Sequence, residues 1–287
     1  MSLNSCQESE PTHDLFQAVK AEFATETGTF AMALHDLSNN KMVLLNEREK
    51  FHAASTMKTP VMIEVYKKAA AGIFNLTDSI AVKNNFYSIV DSSQYQLNPD
   101  DDSELELYKM LGTKRSIADL VYDMIIVSSN LATNLVIEFA DAKATTQTMR
   151  DLGAKDIEVL RGVEDIKAYE KGLSNSTTAF DLMMIYTKLA KGEVVNPAAS
   201  QEMIDILKDQ KFNEIIPALL PEVVEVAHKT GVITGLHHDS GIVFLPDGRA
   251  YVLVLLSKEM EDFEAGTEMM ARVSKLVYDY VVEKKSD

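Results

Sequence analysis

Apolar residues recur at helical spacing in eight stretches of the chain. In the first stretch, Leu15, Val19 and Phe23 fall on one helical face, which predicts a helix over residues 14–24. The same spacing predicts further helices over residues 55–71, 116–127, 131–140, 143–152, 179–190, 197–208 and 263–282. Helical segments are therefore expected in the middle of the chain and at both of its ends.

Runs rich in β-branched and aromatic residues form two groups, one near each end. Residues 29–36 and 41–45 flank four turn-forming residues and predict a β-hairpin. Residues 223–231, 240–245 and 250–256 predict three more strands, with a turn at 246–248. This order predicts an α/β (α+β) fold in which an antiparallel sheet is flanked by helices from both chain ends.

The predicted domains are discontinuous. Residues 14–74 and 198–287 are expected to form an α/β domain, into which residues 75–197 insert an all-helical domain that includes the loop 161–175. Residues 1–13 are expected to be a flexible N-terminal tail. The long polar segment 84–112 is expected to be loop and short helix that lines or covers a site.

Composition narrows the partners. A hydrophobic fraction of 46% over 287 residues is ample for a buried core. The 44 acidic and 28 basic residues give a net charge of −16. This charge argues against electrostatic binding to nucleic acids or to anionic lipid surfaces. No run reaches the roughly 18 to 20 apolar residues of a membrane span. Cys6 is the single cysteine of the sequence, so no internal disulfide is expected. Two interpretations of Cys6 are open: it is a site for a lipid anchor, or it belongs to a plain disordered tail.

The segment Ser55-x-x-Lys58 places a hydroxyl and an amine one helical turn apart. A serine hydroxyl becomes a good nucleophile when a base takes its proton, and a partly neutral lysine can be that base. Taken alone this spacing is weak evidence, because serine is a common helix cap and lysine a common surface residue. Two later motifs change that assessment.

Those motifs are Ser128-x-Asn130, with Asn134 shortly after it, and Lys229-Thr230-Gly231. The ordered triple resembles the serine penicillin-recognising enzymes, and class A β-lactamases most closely, over nearly all of residues 14–282. The resemblance implies a β-lactamase-like fold. It also implies a serine hydrolase that opens a β-lactam amide through an acyl-Ser55 intermediate, which water then hydrolyses.

The resemblance assigns catalytic roles in acylation to three side chains, and Lys229 acts on one of them. Ser55 is the expected nucleophile, and Lys58 is the expected base or proton carrier. Ser128 would bridge Lys58 and Lys229 and pass a proton to the leaving nitrogen. Lys229, across the cleft, would lower the pKa of Lys58 by repulsion between the two positive charges.

Further residues are expected to bind the substrate. Lys229 and Thr230 would hold its carboxylate, and the Asn130 amide would hold the acyl side chain or Lys58. Gly231 would leave room for substrate against the strand edge. By resemblance, the Val232 amide and the amide of the nucleophile itself form the oxyanion hole.

The loop after Arg161 departs from the class A pattern. Class A β-lactamases carry a glutamate two residues after this arginine, then a proline, and an asparagine four residues beyond the glutamate. Here these places hold Val163, Glu164 and Lys167, so the glutamate comes one residue late. Two interpretations are open: Glu164 turns inward as the base for deacylation, or it is a solvated loop carboxylate. Asp165 offers a poorer substitute, as does Glu170 further along the loop.

Deacylation distinguishes a hydrolase that turns over β-lactams from a protein that is only acylated by them. Because the loop that would supply the deacylating base is altered, three functions stay open. The first is a β-lactamase. The second is a related hydrolase of peptidoglycan peptides or esters with poor β-lactam turnover. The third is a non-catalytic penicillin-acylated sensor or binding module.

The remaining expectations concern ligands and location. His237-His238-Asp239 has no supporting third ligand cluster, so neither a metal nor a cofactor is expected. The family implies a small-molecule substrate, a monomer and an extracytoplasmic location in the periplasm or cell envelope, although this chain shows no export signal.

Overall fold

A five-stranded antiparallel sheet is the centre of the computed structural model, which describes residues 11–283. The sheet has the order β2-β1-β11-β10-β9. Its strands are β1 (Thr29–Asp36), β2 (Lys41–Leu45), β9 (Glu225–Ile233), β10 (Leu236–Phe244) and β11 (Ala250–Lys258). Three small two-stranded sheets are built from β3 (Phe51–His52), β4 (Ser79–Ala81), β5 (Phe86–Tyr87), β6 (Gln94–Tyr95), β7 (Lys114–Ser116) and β8 (Ser176–Thr177).

Helices flank the sheet and fill the middle of the chain. The α-helices of the described residues are α1 (Pro11–Phe23), α2 (Lys58–Ala70), α3 (Ile117–Ile126), α4 (Asn130–Ala140), α5 (Ala142–Asp151), α6 (Ile166–Glu170), α7 (Ala179–Ala190), α8 (Pro197–Lys208) and α9 (Phe263–Glu283). Short 3₁₀ turns occupy Ala54–Met57, Pro99–Asp101 and Leu107–Met110. The predicted fold class is confirmed.

The alternation of side chains along β1 explains the two cores. Met32 and Leu34 point to the face covered by α1 and α9, where they pack with Val19 and Val277. Alternate residues such as Ala33 point to the opposite face and join a core that continues among the inner helices. The sheet is thus buried on both faces, which gives the strand edge near α2 a rigid support.

The packing of two helices crosses the predicted domain boundaries. Helix α2, assigned to the α/β domain, contacts α4 and α5 of the helical layer. Helix α7, assigned to the helical domain, lies on β1, β10 and β11. One apolar core runs through both layers, so the division into 14–74 with 198–287 and 75–197 stays a prediction.

Strand β10 begins earlier than the predicted residue 240. It pairs with β9 from Leu236 opposite Ile233, so that only two residues form the turn. His237, His238 and Asp239 are polar but buried within the strand, which is why the apolar pattern did not extend to them.

One terminal prediction is modified and another stays a prediction. Residues 11–13, predicted as tail, belong to helix α1, while Cys6 lies outside the described residues. Within residues 11–283, none of the helices combines the length and apolar character required to span a bilayer.

Candidate active site

The three sequence motifs converge on one cleft of about 940 Å³. Helix α2, the start of α4 and the edge strand β9 deliver them from distant parts of the chain. The cleft is lined by several of the predicted residues, namely Ser55, Ser128, Asn130, Glu164, Thr230, Gly231 and Val232. Lys58 and Lys229 complete the group and are fully buried.

Ser55 was predicted to begin an α-helix, but it lies on a 3₁₀ turn. The turn Ala54–Met57 leads directly into α2, whose first residue is Lys58. The side chain of Ser55 is half-buried and faces the cleft. Residues three apart in a 3₁₀ turn lie on one face, so Ser55 and Lys58 start from the same side of the turn.

Ser128 joins the two buried amines. Lys58 Nζ donates to Ser128 Oγ at 3.1 Å and to the Ser128 carbonyl at 2.7 Å. Lys229 Nζ donates to the same Oγ at 3.1 Å and to the Thr230 carbonyl at 3.0 Å. The third bond of Lys58 goes to Asn130 Oδ1 at 3.0 Å. A hydroxyl bridging two amines can relay protons between them.

Burial changes the acidity of both lysines. It lowers the pKa of Lys58 to about 7, although the negative charges of Asp102 and Glu164 oppose this shift. Burial also lowers the pKa of Lys229 well below its ordinary value, and repulsion from Lys58 adds to the effect. We expected repulsion from Lys229 to lower the pKa of Lys58, whereas burial is the cause that lowers it. A lysine with a pKa near 7 is partly neutral at physiological pH and can accept a proton.

Three residues of the site have a left-handed backbone. Ala54 has a φ of 44°, Ser128 of 57° and Glu164 of 60°. Such conformations cost residues with a Cβ on the order of 1–3 kcal/mol each, so the surroundings must hold them. At Ala54 the backbone amide donates to His52 Nδ1 at 3.0 Å, and at Ser128 the carbonyl is held by Lys58.

Gly231 allows the edge strand to approach the nucleophile. A Cβ at this position would lie 3.0 Å from the Ser55 amide nitrogen and 3.1 Å from that of Thr56. We expected the glycine to make room for substrate, and the close backbone approach is an additional reason for it. Strand β9 therefore fixes the turn that carries Ser55.

The first part of the loop 161–175 is anchored by Asn134. Asn134 Oδ1 accepts from the Val163 amide at 2.7 Å, and Asn134 Nδ2 donates to the Val163 carbonyl at 3.0 Å. Gly162 packs against this clamp, since a Cβ there would lie 2.1 Å from Asn134 Oδ1. Buried Asp165, considered above as a poorer base, instead accepts from Ser88 Oγ and caps α6.

Glu164 turns into the cleft. Its Oε1 accepts from Asn130 Nδ2 at 2.9 Å, so Asn130 connects Glu164 with Lys58 through one amide group. Burial raises the pKa of Glu164 above its ordinary value, which makes the ionised carboxylate a stronger base. The interpretation of Glu164 as a solvated loop carboxylate does not fit this placement.

Comparison with known proteins decides the family. A family model described as the beta-lactamase enzyme family matches residues 14–281. This chain belongs to the beta-lactamase enzyme family.

Individual relatives are distant but cover nearly the whole chain. The extended-spectrum beta-lactamase PER-1 of Pseudomonas aeruginosa is 22% identical, over 100% of this chain and 93% of PER-1. A beta-lactamase structure from Sphaerobacter thermophilus has a TM-score of 0.80 and 25% identity, covering 95% and 98% of the two chains. The structure of PBP-A has a TM-score of 0.82 at 23% identity, covering 94% and 96%. The beta-lactamase fold is therefore established.

The histidines of this family member have structural partners. His228 bonds to Asp239 at 2.8 Å and to Asn213 at 3.1 Å. His238 donates to the His52 carbonyl at 2.9 Å and accepts from the Ser257 amide at 3.2 Å. These bonds satisfy the buried side chains of His228 on β9 and of His238 on β10.

Asp102 was missed as a site residue. It lies in the polar segment that was expected to line or cover a site, and Asp101 and Ser103 beside it do line the cleft. The run of adjacent aspartates gave no signal to separate one from another. Only the packing against α4 distinguishes Asp102.

Proposed function

We propose that this protein is a serine β-lactamase of the class A type, acting through an acyl-Ser55 intermediate. One observation carries the proposal: a continuous hydrogen-bonded chain runs from Lys229 through Ser128, Lys58 and Asn130 to Glu164. This chain connects a candidate base for acylation, Lys58, with a candidate base for deacylation, Glu164, beside the cleft that Ser55 lines.

In the acylation step, the Ser55 hydroxyl attacks the β-lactam carbonyl carbon and its proton passes to neutral Lys58. The amides of Ser55 and Val232 stabilise the negative oxygen of the tetrahedral intermediate. The ring carbon–nitrogen bond then breaks, the nitrogen takes the Ser128 proton, and Lys58 returns a proton to Ser128. The burial that holds the pKa of Lys58 near 7 supports its role as the base.

Substrate binding uses the edge strand and α4. Lys229 and Thr230 bind the substrate carboxylate, whose charge would favour the ammonium form of Lys229. The Asn130 side chain contacts the acyl amide. Its position between Lys58 and Glu164 supports this role, because substrate binding there would be felt by both bases.

In the deacylation step, Glu164 takes a proton from a water molecule while the water oxygen attacks the acyl carbon. The bond to Ser55 Oγ breaks, and the proton returns to that oxygen. The buried, inward position of Glu164 supports this assignment.

A chromogenic cephalosporin tests the proposal, with colour and intact protein mass followed together. We expect sustained turnover in the wild type and none in Ser55→Ala. A stoichiometric adduct without turnover would contradict the proposal and indicate a penicillin-acylated binding module, the state named for a PBP-A variant solved as an acyl-enzyme complex with penicillin G. Neither colour nor adduct would indicate a hydrolase of peptidoglycan peptides or esters.

We also propose an extracytoplasmic location, because both candidate substrate classes are encountered in the cell envelope. Cell fractionation with an antibody against the protein checks this. Recovery in the cytoplasmic fraction would contradict it.

A further inference from the structure

Helix α4 begins at Asn130, the last residue of the middle motif. The first amides of an α-helix have no acceptor inside the helix. Ser129 Oγ accepts from the Ala132 amide at 3.2 Å. The other two acceptors come from a separate segment: Asp102 Oδ1 accepts from the Asn130 amide at 3.0 Å, and Asp102 Oδ2 accepts from the Leu131 amide at 2.8 Å. A carboxylate distant in sequence therefore caps the helix.

Asp102 is itself held firmly. The Tyr108 hydroxyl donates to Oδ2 at 3.0 Å, and the Glu104 amide donates to Oδ1 at 3.2 Å. Ser103 Oγ also donates to the Val127 carbonyl, immediately before the motif. The segment 102–108 is thus fixed to residues 127–131 on both sides of Ser128, whose left-handed backbone needs such support.

We propose that Asp102 is a positioning residue for the acylation of Ser55, because its carboxylate anchors the first turn of α4 and thereby holds Ser128 and Asn130 against Lys58. Class A β-lactamases usually have aspartate where this chain has Ser129, so the capping charge here comes from another segment. The inference rests on the proposed function. If the wild type is never acylated the proposed function fails, whereas normal acylation in an Asp102 variant rejects this inference alone.

The charge of Asp102 should also affect the pKa of Lys58, which a purely structural role would leave unchanged. The charged groups that face Lys58 are Asp102, Glu164 and Lys229. The negative charge of Asp102 raises the pKa of Lys58 against the effect of burial. Removing that charge should lower the pKa of Lys58, so neutral lysine would persist to lower pH.

The test measures single-turnover acylation by a chromogenic cephalosporin between pH 5 and 9, for the wild type, Asp102→Asn and Asp100→Asn. Asp100 is an exposed aspartate two residues away and serves as the matched control. We expect Asp102→Asn to slow acylation at its plateau by about tenfold or more, since small displacements of catalytic groups have effects of this size. Its acidic limb should move to lower pH, while Asp100→Asn stays close to the wild type in both respects.

Two further variants keep the inference falsifiable if Asp102→Asn folds poorly. Adding Ser129→Asp to Asp102→Asn returns a carboxylate to the helix start and should recover acylation by about threefold or more. Ser129→Asp alone adds a second negative charge and should move the acidic limb to higher pH. An unchanged rate and limb in Asp102→Asn, or an unmoved limb in Ser129→Asp alone, would overturn the inference.

Discussion

The motif cluster and the loop 161–175 build the same cleft by different means. In the cluster, Ser55, Ser128 and Lys229 come from α2, α4 and β9 or from the turns that begin them, and Lys58 and Lys229 both bond to the side chain of Ser128. The loop has one short helix and is held mainly by bonds from side chains to backbone, such as those of Asn134 and Asp165. Residues at the ends of regular elements have positions that sequence spacing can indicate, whereas a loop residue is placed by its contacts.

In the proposed mechanism, the cluster performs acylation and the loop performs deacylation. Substitutions in the two regions and the pH dependence of the wild type test this division. They run from the largest expected effect to the smallest.

The largest effect is expected from Lys58→Met in the cluster. Methionine has a similar length but no basic nitrogen, so we expect acylation to fall by about 10³-fold or more. It also leaves Asn130 Oδ1 and the Ser128 carbonyl without their donor, at a cost of about 1–3 kcal/mol for each buried acceptor. Stopped-flow acylation and thermal unfolding measure the two effects.

Lys67→Met on the same helix is the matched control, because its amine is about half exposed and bonds away from the cleft to Thr148. Rapid acylation in Lys58→Met would show that another group is the base.

In the loop, Glu164→Gln should retain acylation but slow deacylation by about 10²- to 10³-fold. Glutamine keeps the size of the side chain and an oxygen that can accept from Asn130, yet it cannot take a proton from water. Burst kinetics separate the two rate constants. Glu170→Gln, an exposed carboxylate of the same loop, should behave as the wild type. Slow deacylation in Glu170→Gln together with wild-type deacylation in Glu164→Gln would show that the loop assignment is wrong.

Two glycines offer a paired substitution, one in each region. Gly231→Ala pushes against the backbone of the Ser55 turn, so acylation should fall by about 10- to 100-fold. Gly162→Ala pushes on Asn134 and loosens its clamp on Val163, so deacylation should suffer more than acylation. Both rate constants are measured for both variants. Equal losses of both steps in both variants would break the division of labour.

The smallest change is a pH dependence in the wild type. Acylation requires neutral Lys58, whose pKa is about 7, and the amine becomes protonated as the pH falls. The acylation rate constant should therefore be level above about pH 7 and decrease about tenfold per pH unit well below it. Single-turnover measurements across this range show the limb. A limb near pH 10, the ordinary range for lysine, would contradict a lowered pKa.

Much of the fold and cluster could be predicted from the sequence. The observed bounds match the predicted bounds for α7, α8, β1 and β2, and they differ by one residue at the ends of α3 or α4. Apolar spacing and capping residues mark these elements in the sequence. The three motifs could be predicted because the residues of each lie within four consecutive positions of the chain.

Other features depend on tertiary contacts that a sequence pattern does not contain. Asp100, Asp101 and Asp102 are chemically alike, and only the contact with α4 selects Asp102. The early start of β10 was missed because His238 is buried through bonds to His52 and Ser257. The inward turn of Glu164 depends on its bond from Asn130 and on the bonds of Asn134 to Val163. Both asparagines lie about thirty residues before Glu164 in the chain.

The most direct measurement of the central claim is the location of the covalent adduct. Penicillin G is mixed with Glu164→Gln, which should trap the acyl-enzyme, and with the double variant Ser55→Ala/Glu164→Gln. Intact mass and peptide mapping should show one added penicillin on Ser55 in the first protein and none in the second. An adduct on another residue, or hydrolysis that continues without any adduct in both proteins, would contradict acyl transfer through Ser55.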